Sequence, residues 1–216
     1  MFDDRSDAGR KLARALEKYK NKNAVVLAIP RGGVEVGYHV AKHLNADLSL
    51  IVARKLPFPD NPESGFGAVA EDGSAFLYRR MDWRMPEEVV ERIKRDQQKE
   101  VQRRIAVLRG GRPLPDLKGR TVILVDDGIA MGSTMRASIL LCKNKGAGKI
   151  VVAAPVSGDI VAKEIAEDVD DVVILETPRF FRAVAQVYRN WYDVPDDEVI
   201  AILEKWRAEH TGDSRG

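Results

Sequence analysis

The chain is poor in residues that would staple or anchor it. One of its 216 residues is cysteine, Cys142, which excludes an internal disulfide framework and makes a cytoplasmic setting the expectation. Cys142 falls in an apolar helical stretch and reads as core. No apolar run approaches 18 residues, so no membrane-spanning helix is expected. The opening residues, MFDDRSDAGR, are polar and acidic, unlike a signal peptide. The net charge of +2 is too small to argue for a nucleic-acid partner. His39 and His43 stand four apart, a metal-ligand spacing, but no glutamate sits between them in the HExxH manner, and they read as ordinary helix residues. One local imbalance stands out. From Arg79 to Arg112 there are eleven Lys/Arg against six Asp/Glu, which reads as a solvated helix face, with phosphate contact as the alternative.

What is present is an alternation of short apolar runs and amphipathic stretches. Asp7 to Lys20 reads as a helix with Leu12, Leu16 and Tyr19 on one face. Residues 24–29 (AVVLAI) form a continuous apolar run, the mark of a strand buried on both faces. A turn, Pro30-Arg31-Gly32-Gly33, a helix through Val36, Val40 and Leu44, and a strand over 48–53 complete a βαβ unit. Residues 56–80, entered through the stretch KLPFPDNPESGFG that starts at Lys55, read as a long loop, with a hairpin formed by 67–70 and 75–78. Pro86 opens a long helix that Gly110-Gly111 ends. Strands follow at 121–125, 150–154 and 172–175, with helices at 133–145 and 160–166. Gly146-Ala147-Gly148-Lys149 reads as a helix stop, and helical stretches near 183–188 and 196–208 finish the chain. The expected fold class is α/β, a mainly parallel twisted sheet flanked by helices. No internal repeat or linker appears, so 1–216 is expected to be a single domain.

In such sheets ligands bind beyond the carboxyl ends of the strands. The residues found there are Arg31-Gly32-Gly33, then Arg54-Lys55, then Asp126-Asp127 followed by Gly128, Ile129, Ala130, Met131, Gly132, Ser133 and Thr134. Small residues let backbone N–H groups approach an anion, and Ser133 and Thr134 open a helix whose N-terminus favours phosphate. The acid pair would repel a phosphate alone but would accept hydrogen bonds from a vicinal diol. A ribose 5-phosphate carries both groups.

The stretch VILVDDGIAMGSTM resembles the signature of type I phosphoribosyltransferases. PRGGV, ARKL, NPE, GAVAEDG and the tail FFRAVAQVYRNWYDVPDDEV are similar to a subgroup known only as predicted phosphoribosyltransferases. The resemblance spans nearly the whole chain. It implies Mg²⁺-dependent transfer of a phosphoribosyl group from 5-phosphoribosyl-1-pyrophosphate (PRPP) to a nitrogenous small-molecule acceptor. The alternative is a regulatory module that senses PRPP or nucleotides without turnover. On this resemblance Asp126, Asp127 and Arg31 are the catalytic candidates. Residues 128–134 hold the 5′-phosphate, and Arg31, Gly32, Gly33, Arg54 and Lys55 the pyrophosphate. Magnesium is carried mainly by PRPP, with Asp126 and Asp127 as further ligands. Residues 56–80 would be the mobile lid, and 177–216 a hood and C-terminal helices. Phe180, Phe181, Trp191 and Tyr192 are acceptor candidates, with Tyr188 a further aromatic of the same tail. A homodimer is the expectation by analogy with the fold. Met131 stands where the family has Thr or Ser, and Ser133 could replace the lost hydroxyl. Ala130 stands where enzymes acting on 6-oxopurines have an acid, which leans away from hypoxanthine or guanine.

Overall fold

The computed structural model of the chain describes residues 1–78 and 85–210. The Arg79–Arg84 part of the basic run, the end of the 56–80 segment and residues 211–216 of the C-terminal tail lie outside the described residues. Strands β1 (Ala24–Ala28) and β2 (Asp47–Leu50) come first, with helix α1 (Arg5–Ala15) before them and α2 (Gly33–Leu44) between them. Then come β3 (Ala53–Phe58), β4 (Asn61–Ala70), β5 (Ala75–Leu77) and α3 (Glu87–Arg109). The second half runs β6 (Thr121–Val125), α4 (Ser133–Asn144), β7 (Lys149–Val156), α5 (Asp159–Ala166), β8 (Asp171–Glu176) and α6 (Asp196–His210).

Five strands form one parallel sheet in the order β2-β1-β6-β7-β8. Its strands alternate between two cores, as the period of two requires. Val25, Leu27, Val122 and Leu124 face α4 and α5, while Ala24, Val26, Ile123 and Val125 face α1 and α2. Such two-sided burial is why these strands are apolar without a polar alternate. Cys142 lies in the first of these cores, and burial pushes its thiol up to about 12, which keeps it unreactive. Among the described residues no helix is long and apolar enough to cross a membrane.

The segment expected to be a loop is largely strand. β3, β4 and β5 form a separate antiparallel sheet, of which the sequence pattern marks only the β4–β5 hairpin. Pro57 sits at register shifts on β3, the edge strand, where a missing N–H is tolerated. The helical stretch expected near 183–188 is a single 3-10 turn, Val184–Val187.

Candidate active site

The sheet order reverses between β1 and β6, which makes their shared carboxyl end the switch point. Ala28 pairs with Val125, so the two strands end level, and the Ile29 amide still donates to the Val125 carbonyl at 2.8 Å. The turn after β1 therefore meets the acid pair after β6 at one height. Contact is close enough to require glycine. A side chain at Gly32 would put its first carbon 1.8 Å from Asp127 Oδ2, and one at Gly33 would lie 2.9 Å from the Asp126 Cα. Two motifs nearly a hundred residues apart are thus one structural unit.

The acids are held differently. Asp126 Oδ1 accepts from the Asp127 amide at 2.8 Å. Burial first, and the Asp127 charge second, push its carboxyl well above the usual carboxylate range. Asp127 Oδ2 accepts from Arg5 Nε at 2.8 Å, and its backbone carbonyl accepts from the Tyr188 hydroxyl at 2.7 Å. The Arg5 side chain is only 3% exposed. Its Nη1 donates to the Tyr192 carbonyl, and its guanidinium stacks 4.1 Å from the Trp191 ring centre. Asp127 is therefore not a free carboxylate. One oxygen is committed to α1, and the other makes no hydrogen bond among the described residues.

Beyond the acids, Gly128 packs under Val184 and Val156, where any side chain would collide. Ile129 is buried, and its amide donates to the Val156 carbonyl. Gly132 adopts φ +79°, which favours glycine, and it opens α4 with no side chain capping the helix. The amide and hydroxyl of Ser133 face the Tyr78 hydroxyl, whereas the Thr134 N–H makes no hydrogen bond among the described residues and is open to an anion. The Met131 side chain is 63% exposed, and its carbonyl accepts from the Tyr78 hydroxyl at 2.7 Å. This ties the phosphate-loop candidate to the end of β5.

Of the cationic candidates, Arg31 and Arg54 lie within reach of each other's charge, and Lys55 is turned away. Arg31 faces Asp196 at 3.6 Å, and Arg54 is half-buried beside Gln97. Lys55, one residue further along β3, donates instead to the Glu63 carbonyl on β4. The aromatic candidates separate. Phe181 lines an open cleft of about 610 Å³ with Ala130, Val161, Pro178 and Arg179. Phe180 is exposed beside Arg179, whereas Trp191 and Tyr192 surround Arg5. His39 bonds Ser6 and His43 bonds Glu17, consistent with ordinary helix roles.

A doubly wound sheet with an acid pair, a glycine turn and an uncapped helix at its switch point defines an α/β protein with a crevice at the carboxyl ends of its strands. Residues 5–190 match the family profile of the phosphoribosyl transferase domain, and the chain belongs to that family. A protein of Mycobacterium tuberculosis strain H37Rv with the name "Putative phosphoribosyl transferase" is 43% identical over 207 residues, covering 95% of this chain and 47% of that protein. A ribose-phosphate pyrophosphokinase of Mycobacterium bovis is 29% identical over 116 residues, 49% of this chain and 30% of that enzyme. The chain spans about half the length, or less, of the curated relatives it matches. The crystal structure of the protein TT1426 from Thermus thermophilus superposes with a TM-score of 0.81 at 36% identity, covering 95% of this chain and 98% of that one.

Proposed function

We propose that this protein transfers a phosphoribosyl group from PRPP to a nitrogenous acceptor and releases pyrophosphate. The observation that carries the reading is the seating of Gly32-Gly33 directly on Asp126-Asp127, next to the uncapped start of α4. Acids for a diol, N–H groups for a phosphate and a cationic turn for a leaving group then share one crevice. Family membership supports the same reaction class.

In this reaction the bond from C1 of the ribose to pyrophosphate breaks and a bond from C1 to the acceptor nitrogen forms. Positive charge builds on the sugar and negative charge on the departing group. Asp126 and the open oxygen of Asp127 orient the ribose hydroxyls and favour the sugar's positive charge. Arg31 and the Gly32-Gly33 backbone face the leaving group. The adjacent carboxylates of Asp126 and Asp127 are hard oxygen donors of the kind magnesium takes, and in this reading they add to the phosphates that carry the ion. When bound, magnesium neutralises charge on pyrophosphate. The cleft beside Ala130 and Phe181 is the acceptor's place in this reading. It offers an aromatic face, and no acid at Ala130.

The test is pyrophosphate release from PRPP and Mg²⁺ across a panel of nitrogenous bases. Release with at least one base is expected. Silence with every base, while calorimetry still shows PRPP bound, would favour the regulatory alternative. The Arg5–Asp127 pair is the observation on that side, because it already occupies one of the oxygens that catalysis would use.

Met131 gives a second test. Met131→Thr puts a hydroxyl on the phosphate loop without disturbing a core, since the present side chain is exposed. Affinity for ribose 5-phosphate should rise by about 2- to 10-fold, the worth of one net hydrogen bond. Unchanged or weaker binding by calorimetry would remove residues 128–134 from the phosphate site.

A further inference from the structure

Four arginines gather beyond the carboxyl ends of β1 and β2, and two of them come from an element the site has not yet used. Arg31 and Arg54 follow the two strands. Arg103 and Arg104 come from α3, which Val101 and Ile105 pack against Ala28, Leu50 and Val52. That packing brings the helix's polar side over the strand ends. Glu100 accepts from Arg103 Nε at 2.8 Å and Nη2 at 2.7 Å, and from Arg104 Nε at 3.4 Å. The Arg103 fork, in the main, holds the Glu100 carboxyl down at about 2, so it stays ionised and fixes both arginines.

The charges do not balance. Among the described residues, Glu100 and Asp196 are the carboxylates paired with these arginines, two anions against four guanidiniums. Arg54 has no carboxylate within 4 Å among the described residues, and its partner is the neutral Gln97 at 3.3 Å. Burial disfavours its charge first, and the cations of Arg104, Arg103 and Arg31 add to that, with Glu100 offsetting part of it. A guanidinium keeps its proton in a protein. Counted by ion pairs, the cluster carries two more positive than negative charges, with Arg54 and Arg104 its shielded members and Arg31 and Arg103 its more exposed ones. Arg103 and Arg104 pair along their own helix through the Glu100 they share, and that one carboxylate leaves Arg54 beside them without an anion of its own.

We infer that α3, through Arg103 and Arg104 acting with Arg54, forms the outer wall of a diphosphate-binding subsite, matched to a diphosphate rather than a phosphate monoester. This rests on the PRPP reading and adds a second electrostatic element to it. The glycine turn at Arg31 holds the near side of the diphosphate, and α3 supplies the charge on the far side. The basic run in the sequence then has two parts, of which Arg103 and Arg104 serve the ligand.

Calorimetry with inorganic pyrophosphate and, separately, with ribose 5-phosphate tests this on the full chain. Arg104→Gln should weaken pyrophosphate by about tenfold or more and leave ribose 5-phosphate unchanged. Arg104→Lys should restore part of the loss. Arg103→Gln, at a more exposed position, should weaken pyrophosphate less and flatten the dependence of its affinity on salt. Equal pyrophosphate affinity in Arg104→Gln and the parent would overturn the inference and leave the PRPP reading standing. Equal losses for both ligands would also overturn it, because a wall around the diphosphate alone spares the sugar phosphate. A parent that binds neither ligand would end both readings.

Discussion

A chain with asparagine in place of Asp126 should lose phosphoribosyl transfer by about 10²–10³-fold, the usual cost of one stabiliser of developing charge. It should nevertheless be more stable than the parent at neutral pH. Burial and the neighbouring Asp127 raise the Asp126 carboxyl well above its ordinary value. The folded chain therefore holds that proton more tightly than the unfolded one. Between the ordinary carboxylate value, about 4, and the raised value, the folded state binds more protons. Stability must fall as pH rises through that window and stay low above it. Asparagine removes the penalty and keeps the geometry, because its Oδ1 can still accept from the Asp127 amide. A gain of about 0.5–2 kcal/mol is expected, in the range common when a functional strain is relieved. In the parent, transfer should rise with pH through the same window as Asp126 ionises. Thermal melts of both chains from acid to neutral pH, beside pyrophosphate release, decide it. Full activity in the variant would remove Asp126 from the chemistry. Lower stability at neutral pH would show that its charge is welcome in the fold.

The same physics explains which parts of the molecule are legible in sequence. A strand buried on both faces leaves a continuous apolar run, and the apolar run at Thr121–Val125 has the bounds of the observed strand. The switch-point loops are legible because close backbone approach and anion binding both demand small residues. Long-range partners leave no such trace. Arg5 lies 122 residues from Asp127 and looks like any cation on an amphipathic helix. The helix expected to run to Lys20 ends at Ala15, so Leu12 marks the buried side of α1 while Leu16 and Tyr19 lie beyond it, Tyr19 in a 3-10 turn, and nothing local marks the charged residue that tertiary packing also buries. The β3–β4 sheet is hidden for a different reason. Pro57, Pro62, Gly65 and Gly67 carry the composition of a loop. Yet Gly67 is glycine because a side chain there would strike the Phe76 carbonyl at 2.1 Å across the β4–β5 pair. Close strand approach and loop flexibility select the same residue, so composition cannot tell them apart. The α3 arginines pose a related ambiguity, since helical spacing shows a polar face and not what stands opposite it.

The largest stability effects should come from the Arg5–Asp127 pair, and they separate the structural and binding roles of Asp127. Both side chains are largely shielded, at 3% and 13% exposure. Arg5→Met leaves the Asp127 charge beside Asp126 with its counter-ion gone. Asp127→Asn leaves a buried guanidinium without its counter-ion, held by neutral partners such as the Tyr192 carbonyl and the Trp191 and Tyr192 rings. Each single change should cost about 3–5 kcal/mol, the usual penalty for stranding one partner of a buried pair. The double variant strands neither and should recover most of that loss. Binding should behave otherwise. Asp127→Asn and the double variant should both fail to hold PRPP, because the carboxylate that meets the ribose hydroxyls is absent in each. Restored stability without restored binding would thus assign Asp127 two separate tasks, one as counter-ion to α1 and one toward the sugar. If the double variant regained PRPP affinity, Asp127 would be a structural anion only. Single variants costing less than about 1 kcal/mol would make the pair no stronger than an exposed surface bridge.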